Sequence, residues 1–496
     1  MKPLVFCRKI VQLVPIALFI IVVGCRPVRE APKALPETKT LEILAVNDMH
    51  AAMDNFPRFA FMVDSLRAIY PNMLLVSAGD NQTGNPVNDQ YHEKGMPMIS
   101  LMNAVKFDIS AVGNHEFDSK PQGFAKNTQK ATFSFVATNT VLPEGGAYRI
   151  KPYAVIRAKN GVRVAFVSLL NINEGGIPDC HPDNVKEFSF RDPYVVAKET
   201  LYLADSSQVF VFLNHMGFEE DVALANQLPA GSADLIIGGH SHTRVDKEQL
   251  HNGVLITQAE RKLKFATLIK LTLKDNQVET KSMQLLTVGK NGKERPDIRA
   301  MVNQFGNNPQ LKETIAEATA DFTSYEEVGY LMVDGIRAAS GAEIALANPG
   351  GVRIDHLDKG SVSVMDVYTM DPFGNEMVFF KLTGHELKAL HLAAFTIDDS
   401  SAIYPSGIKT KYLLTETGAL ADVQFFTNDG KPLEMDKTYT VVMNNYMASV
   451  YRYEHKDNGQ GLFRTTAEGI IDYLKNLKKI PDYRGEKRVE LIKKGQ

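Results

Sequence analysis

The sequence has little net charge and few cysteines. The low net charge argues against partners that bind through bulk electrostatic attraction. Its 496 residues carry 55 lysines and arginines against 58 aspartates and glutamates, for a formal net charge of -3. This balance gives no support for a nucleic acid polymer or an anionic surface as the partner of the protein. The hydrophobic share of 44% and the charged share of 23% are ordinary for a soluble globular protein. Because the length exceeds one comfortable core, two domains are expected.

The N-terminus has the composition of a bacterial lipoprotein signal. A basic segment at residues 2–9 precedes an apolar stretch at residues 10–23, which is short for a membrane-spanning helix. A glycine then stands directly before Cys25. We therefore predict a signal peptide at residues 1–24, cleavage before Cys25 and a lipid on that cysteine, which would tether an exported protein to a membrane of the cell envelope. An uncleaved anchor helix is the alternative.

The scarcity of cysteine limits covalent cross-linking. Of the three cysteines, Cys7 would leave with the signal and Cys25 would carry the lipid, so Cys180 remains alone. No intramolecular disulfide is expected in the mature chain. Residues 25–40 contain three prolines among charged residues, a composition that extends rather than packs, and they are predicted to form a tether.

Five short apolar runs end in polar residues of one chemical kind. Such runs, bounded by Gly, Asn or Asp, are typical of buried strands, and ligands of α/β sheets gather at the carboxyl ends of such strands. The runs lie at residues 41–46, 73–78, 107–112, 209–213 and 235–237. The polar segments that follow them are Asn47-Asp48-Met49-His50, Gly79-Asp80-Asn81, Gly113-Asn114-His115-Glu116-Phe117-Asp118, Asn214-His215 and Gly238-Gly239-His240-Ser241-His242-Thr243.

These segments supply hard oxygens and imidazoles but no thiolate, a donor set that suits Zn, Mn, Fe or Ni-like ions. One histidine alone is more readily explained as structural, and one Gly-Asp as a turn, but their repetition at strand ends favours metal. Seven ligands are too many for one ion, whereas a bridging Asp80 would let two ions share them and keep open positions for water and a phosphate oxygen. The candidate ligands are Asp48, His50, Asp80, Asn114, His215, His240 and His242.

The motifs resemble the calcineurin-like metallophosphatase superfamily, and within it the bacterial and animal 5′-nucleotidase and UDP-sugar hydrolase family. The resemblance implies two divalent metal ions, with His115 and Asp118 as the catalytic pair. Part of the nucleotidase branch has Gln where His242 stands, a difference expected to tune metal preference. The implied ligand sets are Asp48, His50, Asp80 and His242 for one ion, and Asp80, Asn114, His215 and His240 for the other.

Strand-like and helix-like segments alternate from residue 41 to about 288, which predicts an α/β fold. Predicted helices lie at residues 56–69 and 192–204, and further strands at 162–170, 254–257 and 265–273. The resemblance sharpens this to a four-layer metallophosphatase sandwich at residues 41–290, followed by a smaller α/β substrate-binding domain at 323–496. Composition shifts between them, and we predict a linker at 291–322 that contains a helix at 311–318.

The second domain carries two loops suited to anions and flat rings. A predicted strand at 344–347 leads into Asn348-Pro349-Gly350-Gly351-Val352-Arg353, and a second loop reads Asp371-Pro372-Phe373-Gly374-Asn375. Glycine lets backbone approach a ligand, Arg forks onto anions, and Phe stacks on bases. A plain turn and a core phenylalanine are the alternatives. Similarity to the C-terminal domain of the same family implies substrate contacts by Asn348, Gly351, Arg353, Phe373 and Asn375.

Two departures from the family pattern concern substrate binding. No arginine occurs from residue 300 to residue 336, where family members carry further substrate-binding arginines. The loop that supplies the second face of the base clamp is also altered, and Tyr451, Tyr453 and Phe463 are open candidates for that role. The expected activity is hydrolysis of nucleoside 5′-monophosphates. The alternatives are 2′,3′-cyclic nucleotides, UDP-sugars or another phosphoester as substrate, or a non-catalytic surface lipoprotein. Metal identity and oligomeric state are left open.

Overall fold

The computed structural model describes residues 38–173, 175–289, 292–397 and 402–493. The predicted signal peptide, Cys25 and most of the predicted tether lie outside these residues. No helix in the described residues is both long enough and apolar enough to cross a bilayer. The first strand begins at Thr38 and pairs with the strand that ends at Lys274, so the last three residues of the predicted tether are strand instead.

The N-terminal part alternates strands and helices, as predicted. Its strands are β1 (Thr38–Val46), β2 (Leu74–Ser77), β3 (Ile109–Ala111), β4 (Ser134–Val136), β5 (Thr140–Val141), β6 (Ile150–Lys151), β7 (Tyr153–Arg157), β8 (Arg163–Val167), β9 (Ser189–Phe190), β10 (Val209–Leu213), β11 (Leu235–Ile237), β12 (Gln249–His251), β13 (Val254–Thr257), β14 (Phe265–Lys274) and β15 (Gln277–Thr287). Its helices are α1 (Phe56–Ile69), α2 (Pro86–Asp89), α3 (Met96–Val105), α4 (Lys120–Lys130), α5 (Pro182–Val185), α6 (Pro193–Glu199), α7 (Phe218–Gln227) and α8 (Pro296–Phe305), with 3₁₀ turns at Asn114–Ser119 and Leu201–Ser206.

Two sheets face each other and each is covered by helices. The orders are β15-β14-β1-β2-β3-β4-β6 in one sheet and β12-β13-β11-β10-β8-β7 in the other. One apolar cluster joins alternate residues of both sheets, including Ile43, Val76 and Val211, and two more fill the outer faces beneath α1 and α7. Because the central strands are buried on both faces, they have continuous apolar sequences. The four-layer sandwich is thus confirmed.

The C-terminal part forms a smaller α/β unit around a five-stranded sheet of order β20-β17-β23-β19-β24. Helices α9 and α13 contact each other and share an apolar cluster on one face of that sheet, and α11 packs on the other. The strands are β16 (Thr314–Ala318), β17 (Ile344–Ala347), β18 (Gly360–Ser363), β19 (Glu376–Thr383), β20 (Tyr404–Ser406), β21 (Ile408–Leu414), β22 (Leu420–Thr427), β23 (Thr438–Asn444), β24 (Gln460–Thr465), β25 (Lys479–Ile480) and β26 (Val489–Lys493). The helices are α9 (Tyr325–Ser340), α10 (Val364–Met370), α11 (Gly384–Ile397), α12 (Asn445–Val450) and α13 (Thr466–Leu477), with a 3₁₀ turn at Pro349–Gly351.

The predicted linker helix at 311–318 is wrong. Residues Thr314–Ala318 form β16, which pairs with β18 and β25, and the helix of this region is α8, which lies upstream. The alanines and glutamates of the segment favour helix locally, but Ile315 and Ala318 are buried in the second-domain core through strand pairing. Tertiary pairing has therefore overridden local propensity. The domain limits at 290 and 322 stay predictions.

Candidate metal centre and substrate cavity

The five predicted strands bring their polar ends to one place between the two sheets. Strands β1, β2 and β3 run parallel in one sheet, and β10 and β11 run parallel in the other, so both sheets present carboxyl ends there. A hydrogen bond also joins the two sheets at this point, because the backbone amide of His240 donates to the side-chain Oδ2 of Asp48 at 3.0 Å. The predicted convergence is therefore present.

The backbone at these strand ends is held in an uncommon conformation. Of the seven candidate ligands, the ones with positive φ are Asp48 at 47°, His50 at 44°, Asp80 at 52°, His240 at 79° and His242 at 55°. Non-glycine residues rarely adopt this left-handed region, and such strain persists only where surrounding contacts enforce it. Here the Asp48 amide donates to the Gly79 carbonyl and the His50 amide to the Asp80 carbonyl. The neighbouring strand ends hold each other in place.

Asp48, His50 and His242 form the first group of candidate ligands. The His50 Nδ1 donates to the Thr83 carbonyl at 3.0 Å, which leaves the lone pair of a neutral ring on Nε2. That Nε2 lies 2.9 Å from Nε2 of His242, which is 3.4 Å from Asp48 Oδ1. Burial and then the positive charge of Arg353 hold the pKa of His50 well below its ordinary value, as suits a neutral ligand.

This close approach of two imidazole nitrogens tests whether the residues fit a metal. Bonds of about 2.0–2.1 Å from one cation to two imidazole nitrogens, roughly at a right angle, place the nitrogens about 2.9 Å apart. The Asp48 carboxylate oxygen beside them adds a hard, anionic donor. The donor set therefore fits a divalent transition-metal ion.

Asp80 and His215 form the centre of the second group. The fully buried His215 donates from Nδ1 to the Ala78 carbonyl at 2.7 Å. Its Nε2 makes no hydrogen bond of good geometry within the described residues, although Asp80 Oδ2 lies 3.1 Å away. Burial lowers the pKa of His215, but Asp80 and Asp48 outweigh it and raise that pKa to about 10. The buried carboxylates thus favour a positive charge at this position, as a cation site requires.

Asn114 and His240 extend this group. The Asn114 Oδ1 lies 3.1 Å from Nδ1 of His240, and the ring of His240 lies 5.2 Å from the ring of His215. Both residues line the same cavity as Asp80. All seven candidate ligands are therefore gathered into one cluster, and the donors of the two groups meet at Asp48 and Asp80.

His115 stands beside this cluster with Asp118 as its partner. Its Nδ1 lies 2.7 Å from Asp118 Oδ2, so Nε2 is the nitrogen left for other chemistry, 3.9 Å from Asp80 Oδ2. Burial lowers the pKa of His115, but Asp80 and Asp118 act more strongly and the net shift is upward. The His115 charge in turn lowers the pKa of Asp118 against the effect of burial.

Two supporting residues escaped the sequence analysis. Asn47 donates to Asp48 Oδ2 at 2.6 Å and accepts from the Ala259 amide, so it fixes the carboxylate against the far sheet. Glu116 accepts from the amides of Asp80 and Gly113, and burial together with Asp80 raises its pKa to about 7. Both residues lie within the polar segments that follow the apolar runs. Amide and carboxylate side chains that bind backbone amides have no distinctive sequence signal.

Two glycines let the strand ends approach each other. Gly79 has a φ of 89°, and a Cβ there would lie 2.8 Å from the Gly113 nitrogen. A Cβ on Gly113 would collide with the Asp80 carboxylate. Any side chain at either position would separate β2 from β3 at the point where Asp80 must reach its neighbours.

Residues of the second domain line the same cavity as the metal cluster. The Phe373 ring stacks on His115 with a centroid distance of 5.8 Å and an angle of 24°, and the Arg353 guanidinium lies 5.5 Å from the Phe373 centroid. Asn348 is buried and accepts from Asn444 at 3.0 Å. The predicted substrate residues on the cavity wall are Asn348, Gly351, Arg353, Phe373 and Asn375.

The candidates for a second stacking ring do not line this cavity. Tyr451 is buried in the second-domain core, Tyr453 stacks near His455, and Phe463 is 93% exposed. Tyr446 lines the cavity instead. Four residues of the first domain that the sequence analysis did not assign complete the wall, namely Asp179, Cys180, His181 and Asn184.

Comparison with known proteins matches both halves of the chain. Residues 41–244 match the calcineurin-like phosphoesterase family and residues 307–451 match the 5′-nucleotidase C-terminal domain. Endonuclease YhcR of Bacillus subtilis is 28% identical over 91% of this chain, which spans 41% of the length of YhcR. A 5′-nucleotidase of Vibrio parahaemolyticus is 27% identical over 83% of each protein.

A solved structure has the same arrangement over almost its whole length. The 5′-nucleotidase precursor from Thermus thermophilus superposes with a TM-score of 0.80 and 27% sequence identity, and the match covers 92% of this chain and 99% of that one. The order of the two matched domains and the shared fold agree with the metal cluster described above. The chain belongs to the calcineurin-like metallophosphoesterases that carry a 5′-nucleotidase C-terminal domain, a fold that uses two divalent metal ions to hydrolyse phosphoesters.

Proposed function

We propose that this protein hydrolyses nucleoside 5′-monophosphates. One observation carries the proposal: four of the candidate metal ligands, Asp80, Asn114, His240 and His242, line a single cavity with the predicted nucleoside-binding residues, and Phe373 lies against His115. A phosphate held beside the metal cluster would therefore have its ester group directed at the aromatic and amide side chains of the second domain. The names of the Vibrio and Thermus relatives support the same substrate class.

The chain's own residues have distinct roles in this proposal. Asp48, His50, Asp80 and His242 would hold one ion, and Asp80, Asn114, His215 and His240 the other. Two divalent ions held there would supply Lewis acidity for the phosphate and activate a water nucleophile.

His115 is the proposed proton donor to the leaving group. Its hydrogen bond to Asp118 fixes the ring through Nδ1 and leaves Nε2 as the donor. The upward shift in the pKa of His115 favours the protonated ring that a proton donor needs. When the ester bond breaks, the alkoxide oxygen of the nucleoside would take this proton, and the histidine would regain one from solvent.

The remaining contacts select the substrate. Arg353 would fork onto a phosphate oxygen, and Phe373 would stack on a base. Asn348 and Asn375 provide amide groups for ribose or base hydroxyls and carbonyls. Tyr446 is the proposed second aromatic surface of the cavity.

A panel of phosphate esters tests this function. Purified protein supplied with Zn²⁺ or Mn²⁺ should release phosphate from nucleoside 5′-monophosphates with a higher kcat/KM than from ribose 5-phosphate or p-nitrophenyl phosphate, because only the nucleotides fill both halves of the cavity. Chelation should abolish the release. Equal rates on nucleotides and on esters without a base would refute a nucleotide pocket while leaving the phosphoesterase assignment intact. Including 2′,3′-cyclic nucleotides and UDP-sugars in the panel decides between the alternative substrates.

Export and lipid attachment form a separate part of the proposal and rest on residues 1–25 of the sequence. Expression with a labelled fatty acid should mark the wild-type protein and leave the Cys25→Ser variant unmarked. Labelling of both proteins, or of neither, would contradict lipidation at Cys25.

A further inference from the structure

Three cationic side chains gather beside the metal cluster without carboxylates to pair with them. Arg353 makes no side-chain hydrogen bond or ion pair with any described residue, and neither does Lys262. Within the same described residues, Arg261 makes one side-chain hydrogen bond, to the hydroxyl of Tyr325 at 3.1 Å. Unpaired positive charge at a partly buried site is costly unless a bound anion offsets it.

These cations are close enough to act on one another. Burial, and among charged groups Arg261, lowers the pKa of Arg353, while Asp80 opposes that shift. Burial lowers the pKa of Lys262 as well, and Arg261 and Arg353 add to the effect. Asp80 belongs to the candidate metal cluster, so it is committed to other cations. Asp118 also opposes the shift of Arg353, but it is paired with His115. Asp355 opposes the shift in the pKa of Lys262, and within the described residues it forms no ion pair with Lys262.

The loop that carries Arg261 is held in a strained conformation against the metal cluster. Glu260, Lys262 and Leu263 have φ values of 58°, 58° and 49°, all in the left-handed region. The Lys262 amide donates to the Asp48 carbonyl at 2.8 Å, and its carbonyl accepts from Asn55 Nδ2 at 2.9 Å. Strain of this kind at non-glycine residues is concentrated at functional sites. The loop thus fixes Arg261 relative to Asp48.

The contact of Arg261 crosses from the first domain to the second. Its partner Tyr325 is the first residue of α9, in the stretch from 300 to 336 that contains no arginine. The charge that the second domain lacks at this position is supplied by the first domain, and the tyrosine hydroxyl orients it.

We infer that Arg261 is a specificity-determining residue that, with Arg353, favours phosphate monoesters over diesters. The inference rests on the proposed phosphoesterase function and deepens it. A monoester phosphate carries close to two negative charges at neutral pH and a diester carries one, so an added cation stabilises the monoester more. Arg261, oriented by the Tyr325 hydroxyl, acts through the electrostatic field at the cavity and not as a proton donor.

The test compares two substrates of the same nucleoside in the metal-loaded full-length enzyme. Arg261→Gln should lower kcat/KM for the 5′-monophosphate by roughly 10- to 100-fold, the range typical of a lost charged contact, and for the 2′,3′-cyclic phosphate by a few-fold at most. Arg261→Lys, which keeps the charge, should recover most of the selectivity, and Tyr325→Phe should lose part of it. Arg191→Gln is the matched control, because Arg191 is a half-exposed arginine paired with Glu199. Equal losses on both substrates, or no loss, would overturn the inference.

A binding measurement separates this inference from the nucleotide assignment. Isothermal titration of inorganic phosphate near pH 8, where it is doubly charged, should show an affinity at least 10-fold weaker for Arg261→Gln than for wild type, with little change for singly charged dimethyl phosphate. If the wild-type enzyme does not hydrolyse nucleotides but cleaves p-nitrophenyl phosphate, the proposed function is wrong. The role of Arg261 is then tested with that ester and with phosphate binding. Unchanged phosphate affinity would refute the role of Arg261 whichever substrate is native.

Discussion

The two domains place functional side chains at the same structural position but use different chemistry there. In the first domain the ends of β1, β2, β10 and β11 carry carboxylates and imidazoles. In the second domain the parallel strands β17 and β23 end in Asn348 and Asn444, whose amides bond to each other. Strand ends thus locate a site in either case, while residue type decides whether it suits a cation or a polar organic group.

Two buried histidines show what this difference does to protonation. His215 in the first domain and His391 in the second are both fully buried, and in the part of the chain that the structure describes neither Nε2 has a hydrogen-bond partner. Carboxylates around His215 raise its pKa to about 10, whereas His391 contacts Tyr412 and Phe425, and burial lowers its pKa to about 3. Burial alone favours a neutral ring, and only the acidic surroundings mark a cation site.

The largest expected effect comes from removing the carboxylate shared by both groups. Asp80→Asn should reduce turnover by more than 100-fold, beyond the loss usual for a residue that only supports a ligand, and should lower bound metal. Metal analysis by mass spectrometry together with phosphate release measures both. Asp436→Asn, at a fully exposed carboxylate, is the control. Full metal content with normal turnover would show that Asp80 bridges nothing.

Removing the imidazole beside the metals should cost less and leave the metals in place. His115→Ala is expected to lower kcat by about 10²- to 10⁴-fold, the usual contribution of a positioned proton donor, with metal content near that of wild type. The exposed His356 provides the matched His→Ala control. Loss of metal together with activity would instead place His115 among the ligands.

A smaller effect is expected at the aromatic wall of the second domain. Phe373→Ala removes a stacking surface worth about 1–3 kcal/mol per base, so KM for nucleoside 5′-monophosphates should rise about 5- to 150-fold while hydrolysis of p-nitrophenyl phosphate changes little. Phe463→Ala, at a ring that is 93% exposed, is the control. Equal effects on both substrates would argue that Phe373 orders His115 rather than the base.

The smallest effect concerns stability in acid and sharpens the contrast between the two histidines. The unfolded chain protonates His391 near pH 6.5, while the folded protein keeps it neutral down to about pH 3, so stability falls as pH drops between these values. At pH 5 this histidine should cost about 2 kcal/mol relative to pH 7. His391→Gln keeps an acceptor for the Tyr412 hydroxyl but does not titrate. In thermal unfolding, this variant should lose less stability between pH 7 and pH 5 than the wild-type protein. His356→Gln, at an exposed histidine, is the control. If His391→Gln loses as much stability between pH 7 and pH 5 as the wild-type protein, His391 is charged in the folded state.

The sequence predicted the first domain better than the second because its signals are strong and local. In the first domain, helix α1 and strands β10, β11 and β13 have the predicted bounds, since apolar runs bounded by polar residues define buried strands. In the second domain, β17 also has its predicted bounds. The linker helix failed because Ile315 and its neighbours are committed by pairing partners far along the chain. The second aromatic of the cavity, Tyr446, was missed because it lies in α12, ahead of the three candidates, and tertiary packing rather than local sequence decides which ring faces the cavity.

The order of residues alone establishes which donor atoms are available and that they follow buried strands, because hydrophobic patterning and residue chemistry are local properties. Packing of distant segments was needed to establish which donors face each other, that five of them have left-handed backbone, and that Arg261 lies beside Tyr325. Those outcomes depend on contacts between segments far apart in the chain, such as His50 and His242, which are separated by 192 residues. Such contacts are set by the packing of the two sheets.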